Sequence, residues 1–144
     1  MAVRRVVYCS TFLVMATLLS GAQDQTPQIK HAPAAQTSAA SGKEMFMSYC
    51  ASCHGKDAKG DGPAAAALKQ APADLTALAK TNGGQYPDMK VTSVLRGEAK
   101  LAAHGTQDMP VWGPVFWKMS QGHESEVTQR IANLNHYIAS LQVK

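Results

Sequence analysis

The stretch Cys50-Ala51-Ser52-Cys53-His54 decides how the rest of this chain is interpreted. Two cysteines separated by two residues and followed at once by histidine form the attachment signature of a c-type haem. Residues three apart lie on one face of a helix, so both sulfurs can reach the vinyl groups along one porphyrin edge. His54 then directs its imidazole at the iron. The stretch predicts one haem, bound covalently through Cys50 and Cys53, with His54 as an iron ligand.

Three other interpretations of this stretch stay open, although haem attachment is favoured over all of them. A thioredoxin-like redox pair belongs in a βαβ context, and no alternating strand pattern surrounds these residues. A structural zinc site takes four protein ligands, and the one further cysteine, Cys9, lies near the N-terminus. The third alternative is a chance match of five residues.

The sixth iron position is predicted to be filled by Met109, because histidine and methionine are the axial ligands of cytochromes c. Residues 99–113 contain several Gly and Pro residues and predict a long connection, in which a side chain can be aimed at a metal. His104 lies in the same connection and is the competing ligand. The other methionines lie in the N-terminal leader or in predicted helices, where packing is their usual role.

Residues 1–22 are typical of a secretory signal peptide, which predicts a periplasmic or other extracytoplasmic location. Arg4 and Arg5 precede an apolar run at residues 6–19, and a small-residue cleavage site ends at Ala22. The run is shorter than the roughly 20 residues that span a bilayer, so cleavage is expected. An uncleaved leader would act as a membrane tether.

Composition divides the remaining chain into a linker and one domain. Residues 23–41 are rich in Ala, Gln, Thr, Ser and Pro without apolar periodicity, which predicts a flexible linker before a domain at residues 42–144. Loss of the leader removes two of the 14 basic residues and none of the 10 acidic ones, leaving a net charge of +2. Since no dense Lys/Arg run is present either, nucleic-acid binding is not expected.

The apolar pattern predicts an all-α fold. Residues 42–49 should form a helix leading into the haem motif, and short helices are expected at residues 63–69, 74–81 and 87–96. Asp74 is a reasonable cap for the second of these, and Gly97 should stop the third. The clearest helix covers residues 124–141, where one face carries Val127, Ile131, Leu134, Ile138 and Leu141.

From Gly42 onward the sequence resembles the bacterial class I (monohaem) cytochrome c family. The resemblance rests on the haem stretch continued by Gly55, on Met109-Pro110, and on two sets of helix residues. Gly42 and Phe46 look like the family's first helix, and Leu134 with Tyr137 like the last helix, which packs against it. The resemblance implies a small cytochrome c fold, with helices wrapped around one covalently attached haem.

The resemblance also implies a role for Pro63, whose carbonyl would accept a hydrogen bond from the imidazole of His54 and fix its orientation. Trp112 follows the candidate ligand by three residues and is predicted to donate its indole N–H to a haem propionate. Arg96 is a second candidate for pairing with a propionate. Trp112, Trp117, Tyr86 and Phe116 are expected in the core.

These features predict an extracytoplasmic one-electron carrier that exchanges electrons with partner proteins, such as a respiratory complex or an oxidase. No general base, nucleophile or second cofactor motif is visible in the sequence, so an enzyme is not expected. Two alternatives stay open. The chain is a tethered cytochrome subunit of an oxidase or dehydrogenase complex, or it is a haem enzyme or gas-binding protein with a labile sixth ligand.

Overall fold

The computed structural model describes residues 34–99 and 109–143, in which every regular element is helical. Within these ranges no helix is both long enough and apolar enough to cross a membrane. The elements in chain order are α1 (Gly42–Met45), a π-helical turn (Phe46–Cys50), α2 (Ala51–His54), 3-10 turns at Ala65–Ala67 and Leu75–Ala77, α3 (Leu78–Thr81), α4 (Asp88–Arg96), α5 (Trp112–Met119) and α6 (Glu124–Ser140). The predicted all-α class is confirmed.

The two ends of the domain are joined where α1 and the π-helical turn cross α6. A Cβ atom on Gly42 would collide with the carbonyl oxygen of Asn133, so only glycine allows the backbones to approach this closely. Phe46 and Leu134 are fully buried beside the crossing. The ring centroids of Phe46 and Tyr137 lie 5.4 Å apart. This crossing confirms the packing that the sequence predicted.

The apolar face predicted for α6 is the face that enters the core. The four residues of this face that lie within the helix are buried: Val127, Ile131, Leu134 and Ile138. Leu141, which follows the helix, packs against the same core. Glu124 and Glu126 lie in the first turn, where negative charge stabilises the helix dipole. The long helix therefore forms one wall of the domain.

The helical stretch that leads into the haem motif contains a turn that was not predicted. The backbone N–H of Ala51 donates to the carbonyl of Phe46, which closes a five-residue π-helical turn. Such turns are rare and occur mostly as single turns, frequently at functional sites. Within this turn Phe46, Tyr49 and Cys50 are buried.

Two of the three short helices form near their predicted positions. Asp74 caps the 3-10 turn before α3, accepting a hydrogen bond from the backbone N–H of Thr76 over 2.8 Å. Gly97 ends α4 with a φ of 81°, a left-handed conformation that glycine adopts without strain. At residues 63–69 the predicted helix is reduced to the 3-10 turn Ala65–Ala67.

Helix α5 lies partly in the predicted connection at residues 99–113, of which residues 100–108 lie outside the described ranges. Its first residues include Gly113 and Pro114, and this pair of residue types favours a loop in a sequence-based prediction. Proline is tolerated in a first helical turn because a residue there needs no N–H: no acceptor within the helix is available to it.

Two aromatic residues of α5 were expected in the core. Phe116 is fully buried, whereas the expectation for Trp117 is wrong, since 49% of this residue is exposed.

The predicted linker at residues 23–41 is not separate from the fold at its C-terminal end. The phenol of Tyr49 donates to the carbonyl oxygen of Ala35 over 2.6 Å. The guanidinium of buried Arg130 donates to the carbonyl oxygen of Thr37 over 3.0 Å. Residues 34–41 therefore pack on the helices, because buried polar groups of the domain use them as partners.

Candidate haem site

One cavity of about 440 Å³ brings together five of the predicted site residues, Cys50, Cys53, His54, Met109 and Trp112. The first three come from α2 and its flanking turn, and the last two come from the segment just before α5 and from α5 itself, more than fifty residues later in the sequence. The volume lies within the roughly 300–1,000 Å³ usual for small-molecule and cofactor sites. Residues far apart in the chain thus meet in a single concave site.

The walls of this cavity suit a flat apolar group. Its apolar lining comes from the loop after α2 and from α3, α4, α5 and α6: Leu68, Leu75, Leu78, Val91, Val94, Leu95, Trp112 and Ile138. Sequence reasoning assigned none of these except Trp112 to the site. The signal available was the apolar set Val91, Val94 and Leu95 on one face of α4.

The two cysteine sulfurs are not joined as a disulfide. Cys50 is buried, and Cys53 is partly exposed. Burial raises the pKa of the free Cys50 thiol to about 12, and the charge of the neighbouring Cys53 is a second, smaller cause. Because the thiolate is the reactive form of cysteine, the buried Cys50 thiol is held in its protonated form at neutral pH; with Cys53 it would hold a haem through thioether bonds.

The imidazole of His54 is buried and oriented by the backbone. Its Nδ1 lies 3.0 Å from the carbonyl oxygen of Ala73. Donation from Nδ1–H to this carbonyl leaves Nε2 as the atom that can bind a metal. The prediction that Pro63 supplies this carbonyl is wrong. Pro63 is exposed and lines a separate groove with Ser52, outside the cavity.

Ala73 is held in place by the two residues that follow it. Asp74 caps the following turn, and the backbone N–H of Leu75 donates to the carbonyl of Ala58 over 2.8 Å. The loop after α2 folds back onto this helix at Gly62, which lies so close to the backbone of Ser52 that a Cβ atom there would collide with it. The capping Asp74 was the available signal, but nothing in the sequence pointed to its neighbour's carbonyl.

Met109 is the only methionine of the described residues that lines the cavity. It is half-buried, and the chain after it is held against the end of α4. Val111 fills the space beside Gly97, and Gly113 lies against the backbone of Arg96. The other described methionines lie elsewhere: Met45, Met47, Met89 and Met119. The competing ligand His104 lies outside the described residues.

Trp112 is buried in the cavity wall, as a cofactor-contacting residue requires. Its ring stacks on Tyr49 with a centroid separation of 5.0 Å. Its indole N–H donates no hydrogen bond to the described residues, so the predicted donation to a propionate stays a prediction. Tyr49 also lines the cavity and was missed, although it immediately precedes Cys50.

Arg96 is not among the residues that line the cavity, and its predicted pairing with a propionate stays a prediction. Its guanidinium binds α6 instead, with Nη1 3.2 Å from Glu124 and Nη2 3.1 Å from the hydroxyl of Thr128. Arg96 lies in the last turn of α4, and these contacts direct its side chain toward α6. Among the described residues, the cation on the cavity wall is Lys90, which was not singled out from the sequence.

Helix α4, which carries much of the cavity wall, is fixed to α6 by buried Asn135. The amide nitrogen of Asn135 lies 2.9 Å from the carboxylate of Asp88 and 2.9 Å from the hydroxyl of Thr92. Its amide oxygen accepts from the phenol of Tyr86. Burial, and to a smaller extent the negative charge of the nearby Asp88, raises the pKa of Tyr86, so the phenol remains a donor at neutral pH.

The family of the chain follows from a comparison with protein-family models. The model described as cytochrome C oxidase, cbb3-type, subunit III matches residues 37–121, which is more than half of the chain. The chain belongs to this family. No curated protein and no solved structure gave a significant match. The match confirms the resemblance to class I cytochromes c and the small cytochrome c fold.

Membership of this cbb3-type family makes the chain a haem-binding electron carrier with a covalently attached c-type haem. The cavity fits such a group. It offers two cysteines that are not paired with each other, a buried histidine with a backbone acceptor for Nδ1, and mostly apolar walls. In this chain Cys50 and Cys53 are the candidates for covalent attachment, and His54 and Met109 for the axial positions.

Proposed function

We propose that this chain is an extracytoplasmic one-electron carrier with a single haem, attached through Cys50 and Cys53 and ligated by His54 and Met109. The observation that carries the proposal is the shared cavity, which both cysteines, the histidine and one methionine line together. A haem iron, when bound, accepts and releases one electron. The protein's task is then to hold the group, exclude water and keep the surroundings unchanged during transfer.

The described residues are suited to this task. The carbonyl of Ala73 restrains the ring of His54, and the hydrogen bonds of Asn135 restrain α4. Trp112 is buried on the wall, in contact with Tyr49. Rigid surroundings favour electron transfer because little has to rearrange when the charge on the iron changes. If His54 and Met109 both bind the iron, no position would be left there for a substrate, so the carrier role depends on this proposed ligation.

The location is proposed from the leader-like residues 1–22, with their paired arginines, apolar run and small-residue cleavage site. Thioether attachment also suits an exported protein, since two free cysteines in an oxidising compartment would otherwise pair. The domain is proposed to extend from about residue 34, the first residue that the structure describes, to the C-terminus. Its last helix is included because α6 packs against Gly42 and Phe46.

The partners are proposed to be redox proteins of a respiratory complex or oxidase. The family description names an oxidase subunit. This favours the alternative in which the chain is a tethered subunit of such a complex. An uncleaved leader would supply the tether. Co-purification from native membranes after mild detergent extraction tests this. A subunit should elute with haem-containing partners, whereas a free carrier should elute alone.

Covalent attachment is the first test of the proposal. The exported protein should retain haem staining after denaturing electrophoresis, and its intact mass should exceed that of the mature chain by one haem. The double substitution Cys50→Ser and Cys53→Ser should abolish the haem staining, whereas Cys9→Ser should leave it unchanged. Haem that acidic organic solvent extracts from the wild type would contradict the proposal.

A further inference from the structure

Lys90 is the basic residue at the mouth of the haem cavity. It lies near the start of α4, is exposed to solvent and lines the cavity beside Val91 and Val94. Of the described residues that line the cavity, Lys90 is the one with a permanent positive charge. Its side chain forms no ion pair and no hydrogen bond with any residue in the described ranges. Its ammonium group is therefore available to a ligand.

A haem presents two carboxylates, and they require polar partners at the edge of a mostly apolar cavity. Arg96, the other basic residue of α4, is bound to Glu124 and Thr128 on α6. Thr81 and Asn82 also line the cavity, but the hydroxyl of Thr81 donates to backbone carbonyls. The amide of Asn82 donates to the carbonyl of Gln85. Of the residues that the structure describes, Lys90 is thus the charged donor on this rim without a partner.

The backbone around Lys90 is held in position from both sides. The amide nitrogen of Asn135 binds Asp88, two residues before Lys90, and Thr92, two residues after it. A lysine side chain is flexible, but its starting point on α4 is fixed relative to the cavity. The apolar stem can follow the wall at Val91 and Val94 while the ammonium remains at the mouth.

We propose that Lys90 pairs with a haem carboxylate at the cavity mouth and thereby raises the reduction potential of the iron. The inference rests on the proposed covalent haem. A positive charge near the haem stabilises the ferrous state, which carries one positive charge less than the ferric state. The paired carboxylate is also shielded from the iron. Removal of the charge should therefore lower the potential.

The test compares reduction potentials of isolated, haem-loaded variants at low ionic strength. Lys90→Gln should lower the midpoint potential, and Lys90→Arg should keep it near the wild-type value because the charge is retained. The control is Lys43→Gln, which removes the same charge from an exposed site on α1, outside the cavity. Salt should suppress the effect at Lys43 more than the effect at Lys90, because direct pairs are screened less.

A second measurement distinguishes pairing from a distant charge effect. Resonance Raman bands that report hydrogen bonding to the haem carboxylates should shift in Lys90→Gln and not in Lys43→Gln. Equal potential shifts in these two variants, or unchanged carboxylate bands in Lys90→Gln, would overturn the proposal. Haem staining is read separately, so a failure of covalent attachment contradicts the proposed function and is not confused with a failure at Lys90.

Discussion

The phenol oxygen of Tyr86 lies 2.5 Å from the amide oxygen of Asn135, which ties the segment before α4 to the middle of α6. The amide nitrogen of Asn135 binds Asp88 and Thr92 on α4 itself. One buried side chain therefore fixes a helix of the haem cavity to the helix that closes the domain.

Replacement of Asn135 by Leu should destabilise the protein by about 1–3 kcal/mol, since partly buried partners lose their hydrogen bonds. The measurement is the free energy of unfolding from denaturant titration of the haem-loaded protein. Gln129→Leu, at an exposed position of the same helix, is the control and should change stability little. Equal effects of the two substitutions would show that the hydrogen bonds of Asn135 contribute nothing specific.

Truncation of Phe46 to Ala should cost about 3–5 kcal/mol of unfolding free energy, as expected for a fully buried aromatic residue. The loss includes its contact with Tyr137 across the α1–α6 crossing. Met47→Ala is the matched control, because the neighbouring Met47 is 39% exposed. A cost near zero for Phe46→Ala would mean that the crossing does not stabilise the domain.

Met109→Ala should open the sixth iron position while the haem stays covalently attached. The ferric wild type should show the weak near-infrared-edge band of sulfur bound to iron, and the variant should lack it. Ferrous wild type should bind carbon monoxide poorly and the variant readily. Met89→Ala, at a methionine that is 77% exposed, should behave as wild type. Rapid binding by the wild type would instead favour the haem enzyme or gas-binding alternative.

Acidification should weaken the cap at Asp74. The hydrogen bond from the Thr76 side chain is the main cause that lowers the pKa of Asp74. The folded pKa lies below the unfolded value of about 3.9, so this contribution is present above that pH and is lost as the pH falls through the folded pKa. Asp74→Asn, which still caps, should flatten the stability profile below about pH 4.

The measurement for Asp74 is unfolding free energy as a function of pH, compared between wild type and Asp74→Asn. Asp57→Asn changes an exposed aspartate that forms no hydrogen bond with a described residue, and its profile should follow that of the wild type. Parallel profiles for wild type and Asp74→Asn would show that the cap makes no pH-dependent contribution.

Local patterns account for the parts of the fold that were predicted. The apolar face of α6 follows from the helical repeat, and the stop at Gly97 follows from glycine's tolerance of positive φ. Helix α5 was missed because Gly113 and Pro114 are loop residues in most contexts. Here Pro114 lies in a first turn, and Gly113 has to approach the backbone of Arg96.

The sequence by itself determined the cofactor chemistry, because Cys50, Cys53 and His54 lie within five consecutive residues and their spacing requires no distant contact. It also determined the helix crossing at Gly42 and Phe46, whose residue types suit one close approach. Tertiary structure alone decided the partners that surround this motif: the carbonyl of Ala73 at His54, Lys90 at the cavity mouth and the position of residues 34–41. A backbone carbonyl is present in every residue, and a surface lysine resembles every other lysine. Their roles therefore depend on where the folded chain places them.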